Sequence, residues 1–186
     1  MLDQPITEEE VTAAVKALKR NKAPGGDGLL PEIFKSFSSQ LISFTTALFN
    51  KLLEQELYPD SWSTGIIIPI HKNGDKKNPN NYRRITLLPV LSKIFTAIIR
   101  DRLIDWAEAD GKLNEAQFGF RGGRRTTDPI FILSTAIQAF KKRRKPLYAC
   151  FVDFAKAFDS VKHNLLWNKL ADKGVSTKIL NLLQSM

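Results

Sequence analysis

Apolar residues recur along this chain in two rhythms, and the places where one gives way to the other mark its elements. Val11, Ala14, Val15 and Leu18 keep the three-to-four spacing of a helix face. They follow Thr7-Glu8-Glu9-Glu10, a capping box with acids in the first helical turn, and the helix is expected to end near Asn21. Pro31 suits a first helical position. A longer helix is expected from about Gln40 to Glu56, burying Leu41, Phe44, Leu48 and Leu52. The rhythm then changes. Gly65-Ile66-Ile67-Ile68-Pro69-Ile70 is a β-branched run whose proline suggests an edge position or a bulge. The turn signal Asn73-Gly74 and a polar loop lead to a returning strand from Tyr82 to Leu88, so the pair reads as a hairpin. Ile94, Ala97, Ile98, Leu103 and Trp106 lie on an amphipathic helix from Val90 to about Glu108. Thr127 or Asp128 caps a further helix opening on Pro129.

The last third contains the most chemically suggestive run, Tyr148-Ala149-Cys150-Phe151-Val152-Asp153-Phe154-Ala155-Lys156-Ala157-Phe158-Asp159. Residues 147–152 have the length and composition of a buried strand, which places Asp153 at its C-terminal end and Cys150 inside as a small buried filler. Asp159 with Ser160 is expected to cap a helix through about Leu170, with Val161, Leu165, Leu166 and Leu170 on its apolar side. A last helix runs from Lys178 to Gln184. The fold class is α+β.

Composition narrows the options. With 186 residues, 43% hydrophobic and 25% charged, the chain can bury a core as one domain, or one and part of another. No apolar segment approaches the roughly 18 residues that span a bilayer, and Met1-Leu2-Asp3-Gln4-Pro5 lacks a signal peptide's pattern, so an intracellular protein is expected. One cysteine and two histidines build neither a disulfide framework nor a zinc cluster. The net charge of +9 is unevenly spread: residues 1–110 hold 14 Lys or Arg against 14 Asp or Glu, and residues 111–186 hold 14 against 5. Two clusters carry the excess, Arg121, Arg124 and Arg125, and then Lys141, Lys142, Arg143, Arg144 and Lys145. Such a surface suits a polyanion, most simply nucleic acid. The second cluster is equally consistent with a solvated helix end, where cations are favoured.

A carboxylate at a strand end can ligate a hard cation such as Mg²⁺ while its backbone stays fixed. Asp153 fits that description, and it equally fits a residue that merely ends a strand. Lys72 ends one hairpin strand and Arg83 begins the other, so two cations could converge on one anion, or simply solubilise a surface hairpin. Gly122 and Gly123 beside arginines permit close approach of a nucleic-acid backbone.

Four stretches in order resemble the reverse transcriptases of non-LTR (LINE-type, jockey-like) retrotransposons. Asn21-Lys22-Ala23-Pro24-Gly25-Gly26-Asp27-Gly28 is similar to a segment upstream of the fingers, with Gly26 in place of the usual second proline, a change that loosens the backbone. The hairpin, followed by Ser92-Lys93-Ile94-Phe95, resembles the fingers motifs, with Arg84 where the family usually has proline. Gln117-Phe118-Gly119-Phe120-Arg121-Gly122-Gly123-Arg124 is similar to a third segment, and the run ending Asp153-Phe154-Ala155-Lys156-Ala157-Phe158-Asp159 to motif A.

The resemblance covers essentially the whole chain. It implies the fingers and first part of the palm of a right-hand polymerase: residues 1–60 an N-terminal helical extension, 61–146 fingers, 147–186 a partial palm. It implies RNA-templated addition of deoxynucleotides to a DNA primer 3′-OH, with Mg²⁺, or alternatively Mn²⁺, as cofactor. On that basis Asp153 is the catalytic and metal-bridging carboxylate, the Phe154 carbonyl helps hold one ion, Lys72 and Arg83 contact nucleotide phosphates, and Phe158 excludes a ribose 2′-OH. Asp159 reads as a helix cap. The family's Y/F-x-D-D hairpin has no counterpart, since no Asp-Asp pair occurs in the chain. The sequence is therefore expected to be a piece of a polymerase, inactive alone. The competing reading is a non-catalytic nucleic-acid-binding remnant.

Overall fold

A computed structural model describes residues 2–186. Among the described residues eight α-helices and one two-stranded antiparallel sheet follow one another as α1 (Glu8–Ala17), α2 (Pro31–Lys35), α3 (Ser39–Gln55), α4 (Asp60–Ser63), β1 (Ile66–His71), β2 (Tyr82–Leu87), α5 (Val90–Ala109), α6 (Thr127–Lys142), α7 (His163–Asp172) and α8 (Thr177–Ser185), with a short 3-10 helix at Pro79–Asn81 between the strands. The chain forms two compact units. One holds the residues up to Leu103 with Lys169–Met186, and the other holds Ile104–Asn168.

The first unit is built around aromatic rings. Phe49 of α3 lies 5.1 Å from Phe95 of α5 and meets Trp62 edge-on at 6.2 Å, with Tyr58 completing the cluster. Val11 and Val15 of α1, Ile94 and Ile98 of α5, and Ile179 and Leu182 of α8 close around them. The hydroxyls of Tyr58 and Ser92 share a buried hydrogen bond of 2.6 Å, which satisfies both polar groups inside the cluster. The capping box forms as expected, Thr7 Oγ1 accepting from Glu10 N–H and the Glu10 carboxylate accepting from Thr7 N–H. The helix stops at Ala17, earlier than the expected Asn21.

The buried face of α3 is rotated from the expected one. Leu41 and Phe44 are exposed, and Thr45, Thr46, Phe49, Leu52 and Leu53 face inward. The threonines can be buried because their hydroxyls donate to the Leu41 and Ile42 carbonyls one turn back, which leaves no polar cost on that face.

Arg102 extends the apolar stripe of Ile94 and Ile98 by one more turn and is itself buried. Its guanidinium donates to both carboxylate oxygens of Glu10, at 2.6 and 2.7 Å, and to the carbonyls of Leu2, Gln4 and Pro5. Asn50 adds a reciprocal pair with the Ile6 backbone. The N-terminal segment is thus held by polar groups projecting from helices.

The second unit differs most from expectation. Residues 147–152 form no strand, and Tyr148, Phe151 and Val152 are exposed along a segment without regular secondary structure. A strand exists by pairing, and among the described residues the only sheet is the β1–β2 hairpin. Cys150 is accordingly exposed, contrary to a buried filler. Asp159 and Ser160 do not cap a helix: residues 155–160 make turns, with Ser160 N–H donating to the Lys156 carbonyl, and α7 starts only at His163. The apolar side expected on α7 buries nothing, because no described element covers Val161, Leu165 or Leu166.

Candidate nucleotide and nucleic-acid site

The hairpin pairs in simple register, Ile66 with Leu87 through His71 with Tyr82, and it has no bulge at Pro69, which stands opposite Arg84. Alternation then sorts its side chains. Ile66, Ile68 and Ile70 share one face with Leu87, Ile85 and Arg83, and Lys72, one step past the strand end, continues that parity. The Lys72 N–H donates to the Asn81 carbonyl at 2.8 Å, prolonging the ladder by one rung. Lys72 and Arg83 are both exposed and neither enters an ion pair among the described residues. Two uncompensated cations on one face are what a phosphate chain requires.

The Gly25 turn braces this hairpin. Gly28 N–H donates to the Gly25 carbonyl at 3.1 Å, so residues 25–28 form a β-turn with Gly26 at its second position. A Cβ on Gly25 would lie 2.4 Å from Pro89 N and 2.5 Å from the Leu88 carbonyl carbon, so the missing side chain allows backbone to meet backbone where β2 passes into α5. Around Gly26 there is open space.

The arginine loop of the second unit is internally paired. Arg121, its side chain 6% exposed, donates from Nε and Nη2 to both oxygens of Glu108 at 2.8 and 2.6 Å and from Nη1 to the Asn114 carbonyl. Glu115 accepts from Arg121 at 3.4 Å and from Arg124, whose guanidinium also sits 5.8 Å from the Phe118 ring. The Arg121 guanidinium holds the Glu108 carboxyl below the usual carboxylate range, and Arg124, with Arg121 second, does the same for Glu115. Contrary to expectation neither Thr127 nor Asp128 is the cap of α6: the helix already begins at Thr127, Thr126 precedes it without a side-chain cap hydrogen bond, and Asp128 instead accepts from the Arg125 N–H; Arg125 itself is exposed. Sequence reasoning missed Glu108 and Glu115, since pairing over six to thirteen residues through a loop leaves no periodic signal.

Lys141 and Lys142 occupy the last turn of α6, and Arg143, Arg144 and Lys145 wrap past it. Arg144 takes a left-handed conformation (φ 53°), and Lys145 N–H donates to the Phe140 carbonyl, closing the helix end in a Schellman-type turn. All five are exposed.

Asp153, Phe154 and Phe158 are exposed. Phe158 meets the Phe120 ring edge-on at 6.3 Å, which joins the motif A stretch to the arginine loop. Among the described residues no three His, Cys, Asp or Glu side chains gather where a cation could sit. Asp153 and the Phe154 carbonyl alone do not fit a two-metal centre, which needs further carboxylates. Lys72 and Arg83 belong to one compact unit and Asp153, Phe154, Phe158 and the basic clusters to the other.

Comparison with known proteins identifies the family. Residues 70–186 match the family model for reverse transcriptase (RNA-dependent DNA polymerase). The chain belongs to that family, and its relatives place it among the non-LTR retrotransposon enzymes. It is 35% identical over 87% of its length to a protein described as a probable RNA-directed DNA polymerase from transposon X-element of Drosophila melanogaster, covering 18% of that protein. It is 32% identical over 97% of its length to the RNA-directed DNA polymerase from mobile element jockey of Drosophila funebris, covering 20% of it. A Pol polyprotein from retrotransposable element R2 of Popillia japonica is 29% identical over 97% of the chain. The chain therefore spans about a fifth of the length of the first two relatives. No helix among the described residues is long and apolar enough to cross a membrane. Enzymes of this family use divalent metal ions.

Proposed function

We infer that this chain supplies the fingers and the first palm segment of an RNA-directed DNA polymerase that adds dNTPs to a DNA primer 3′-OH on an RNA template. The observation that carries this reading is the pair Lys72 and Arg83, uncompensated on one face of the β1–β2 hairpin. Their role is to neutralise and orient the triphosphate, in the way phosphoryl transfer is helped by fixed positive charge. Residues 1–60 act as a helical extension, 61–146 as fingers and 147–186 as palm. Asp153 and the Phe154 carbonyl are ligands offered to Mg²⁺, or to Mn²⁺, and Phe158 is the residue that discriminates against a 2′-OH. Arg124, Arg125 and the residues from Lys141 to Lys145 contact nucleic-acid phosphates, and Arg121, expected from sequence to join them, instead holds the loop that presents Arg124.

Titration of the ¹⁵N-labelled chain with dTTP tests the nucleotide role by NMR. Shifts are expected at Lys72 and Arg83 and their neighbours and vanish in the Lys72→Ala, Arg83→Ala double variant; shifts confined to other residues would sink the assignment. With one carboxylate in the metal position, the 186 residues are expected not to extend oligo(dT) on poly(rA) with Mg²⁺. Robust extension abolished by Asp153→Ala would overturn that expectation.

A further inference from the structure

The face of the hairpin opposite Lys72 and Arg83 is also shaped. Strand alternation puts Ile67, Pro69 and His71 on that face with Thr86, Arg84 and Tyr82. The connecting loop folds back toward it, because the Tyr82 hydroxyl donates to the Lys76 carbonyl at 2.9 Å and the Asn81 amide donates to the Asp75 carbonyl at 2.9 Å. The result is an open groove of about 450 Å³ whose lining includes Ile67, Pro69, Lys76, Lys77, Tyr82 and Arg84.

The lining holds three cations and no carboxylate. Lys76, Lys77 and Arg84 enter no ion pair among the described residues. The one acid of the loop, Asp75, lies outside the lining, its Oδ1 accepting the Lys77 N–H at 2.9 Å. The floor is apolar and includes an aromatic ring, which His71 flanks at 5.2 Å and helps fix in orientation. A cationic rim over an apolar, aromatic floor matches a single nucleic-acid strand, whose phosphates want cations and whose bases want a flat surface. An acidic peptide would meet the cations and leave the ring and prolines unused, and a duplex would keep its bases stacked away from the floor. Arg84 supplies the strand-borne cation opposite Pro69.

We propose that this outer face of the hairpin, through Lys76, Lys77, Tyr82 and Arg84, binds a single strand of nucleic acid by its phosphates and by base stacking. The site is separate from the Lys72 and Arg83 face and needs no nucleotide addition to act. Fluorescence anisotropy of the full chain with labelled oligo(rU) and oligo(dT) over about 50 to 200 mM salt tests it, each phosphate contact adding roughly 0.7 to the slope of log K against log salt. The Lys76→Ala, Lys77→Ala, Arg84→Ala triple variant is expected to lower that slope by about 2 and to weaken binding roughly a hundredfold at the low-salt end, with the deficit shrinking as salt rises. Equal losses with both strands assign the groove to the shared phosphate backbone, and a loss with one alone assigns it to that strand. An RNA carrying 5-iodouridine is expected to photocrosslink to Tyr82, and to do so equally in the Lys72→Ala, Arg83→Ala double variant, so this site and the nucleotide site can fail independently. An unchanged slope in the triple variant, or crosslinks that avoid the residues from Lys76 to Arg84, would overturn the proposal.

Discussion

Arg121 donates from two nitrogens to both carboxylate oxygens of Glu108, at 2.8 and 2.6 Å, a fork-to-fork pair between the end of α5 and the glycine-rich loop. That pair fixes the position of Glu115 and, through it, Arg124. The arginine most deeply set in the loop thus acts on the others before it can act on a ligand.

Glu108→Gln should therefore loosen residues 113–125 without removing any cation from the surface. Amide exchange in that loop is expected to accelerate while α6 stays protected, and affinity for RNA to fall by a smaller factor than in Arg124→Ala. Unchanged exchange would mean that the pair does not order the loop.

Arg102 is expected to be far more costly to remove than any surface arginine. Arg102→Ala leaves Glu10 and the Leu2, Gln4 and Pro5 carbonyls without their donor; Glu10 is partly exposed and can be rehydrated, so the cost is set mainly by the orphaned carbonyls, on the order of 1–3 kcal/mol. Urea unfolding would read the loss as a lower midpoint at unchanged slope. Combining Glu10→Leu with Arg102→Met is expected to restore part of it.

Acid should weaken the same tie. Hydrogen bonds from Arg102 hold Glu10 below the usual carboxylate range, as Arg121 and Arg124 do for Glu108 and Glu115. A carboxylate depressed in the folded state binds fewer protons there than when unfolded, so its stabilisation is complete above the unfolded value and is lost as pH falls through the folded one. Urea midpoints measured from about pH 7 down to about pH 3 are expected to fall on the acid side, and less steeply in Glu10→Gln.

The turn at residues 25–28 allows two opposite outcomes. Gly26→Pro places proline at the turn position it favours, in open space, and is expected to stabilise by about 0.4–1 kcal/mol. Gly25→Ala drives a Cβ into the Leu88 and Pro89 backbone and is expected to cost on the order of 1–3 kcal/mol. Thermal melts of the two variants should move in opposite directions.

Three short-range signals were legible in the chain, although the short-range caps expected at Asp159 and at Thr127 or Asp128 do not form. The Thr7 capping box, the Asn73-Gly74 hairpin and the α5 periodicity need only neighbours within a turn or a strand pair, and all three form. The motif residues Lys72 and Arg83 were likewise legible, because strand alternation is counted along the chain. Arg102 left a faint trace as a cation at the next four-residue step after Ile94 and Ile98, although nothing in the sequence pointed to Glu10 as its partner.

What only the tertiary structure decided depends on who the neighbours are. Residues 147–152 have strand composition, yet hydrogen bonding to another strand makes a strand, and no described element offers its edge to them. The inward face of α3 turned on the threonines, whose hydroxyls are satisfied within the helix and so can be buried beside Phe49. Arg121 became an internal tie because Glu108, thirteen residues earlier, comes within hydrogen-bonding distance in the fold. Sequence by itself determined the Thr7 capping box, the hairpin and the cations it carries. Burial and charge pairing were decided by folding, because both are relations between residues that the chain brings together only in space.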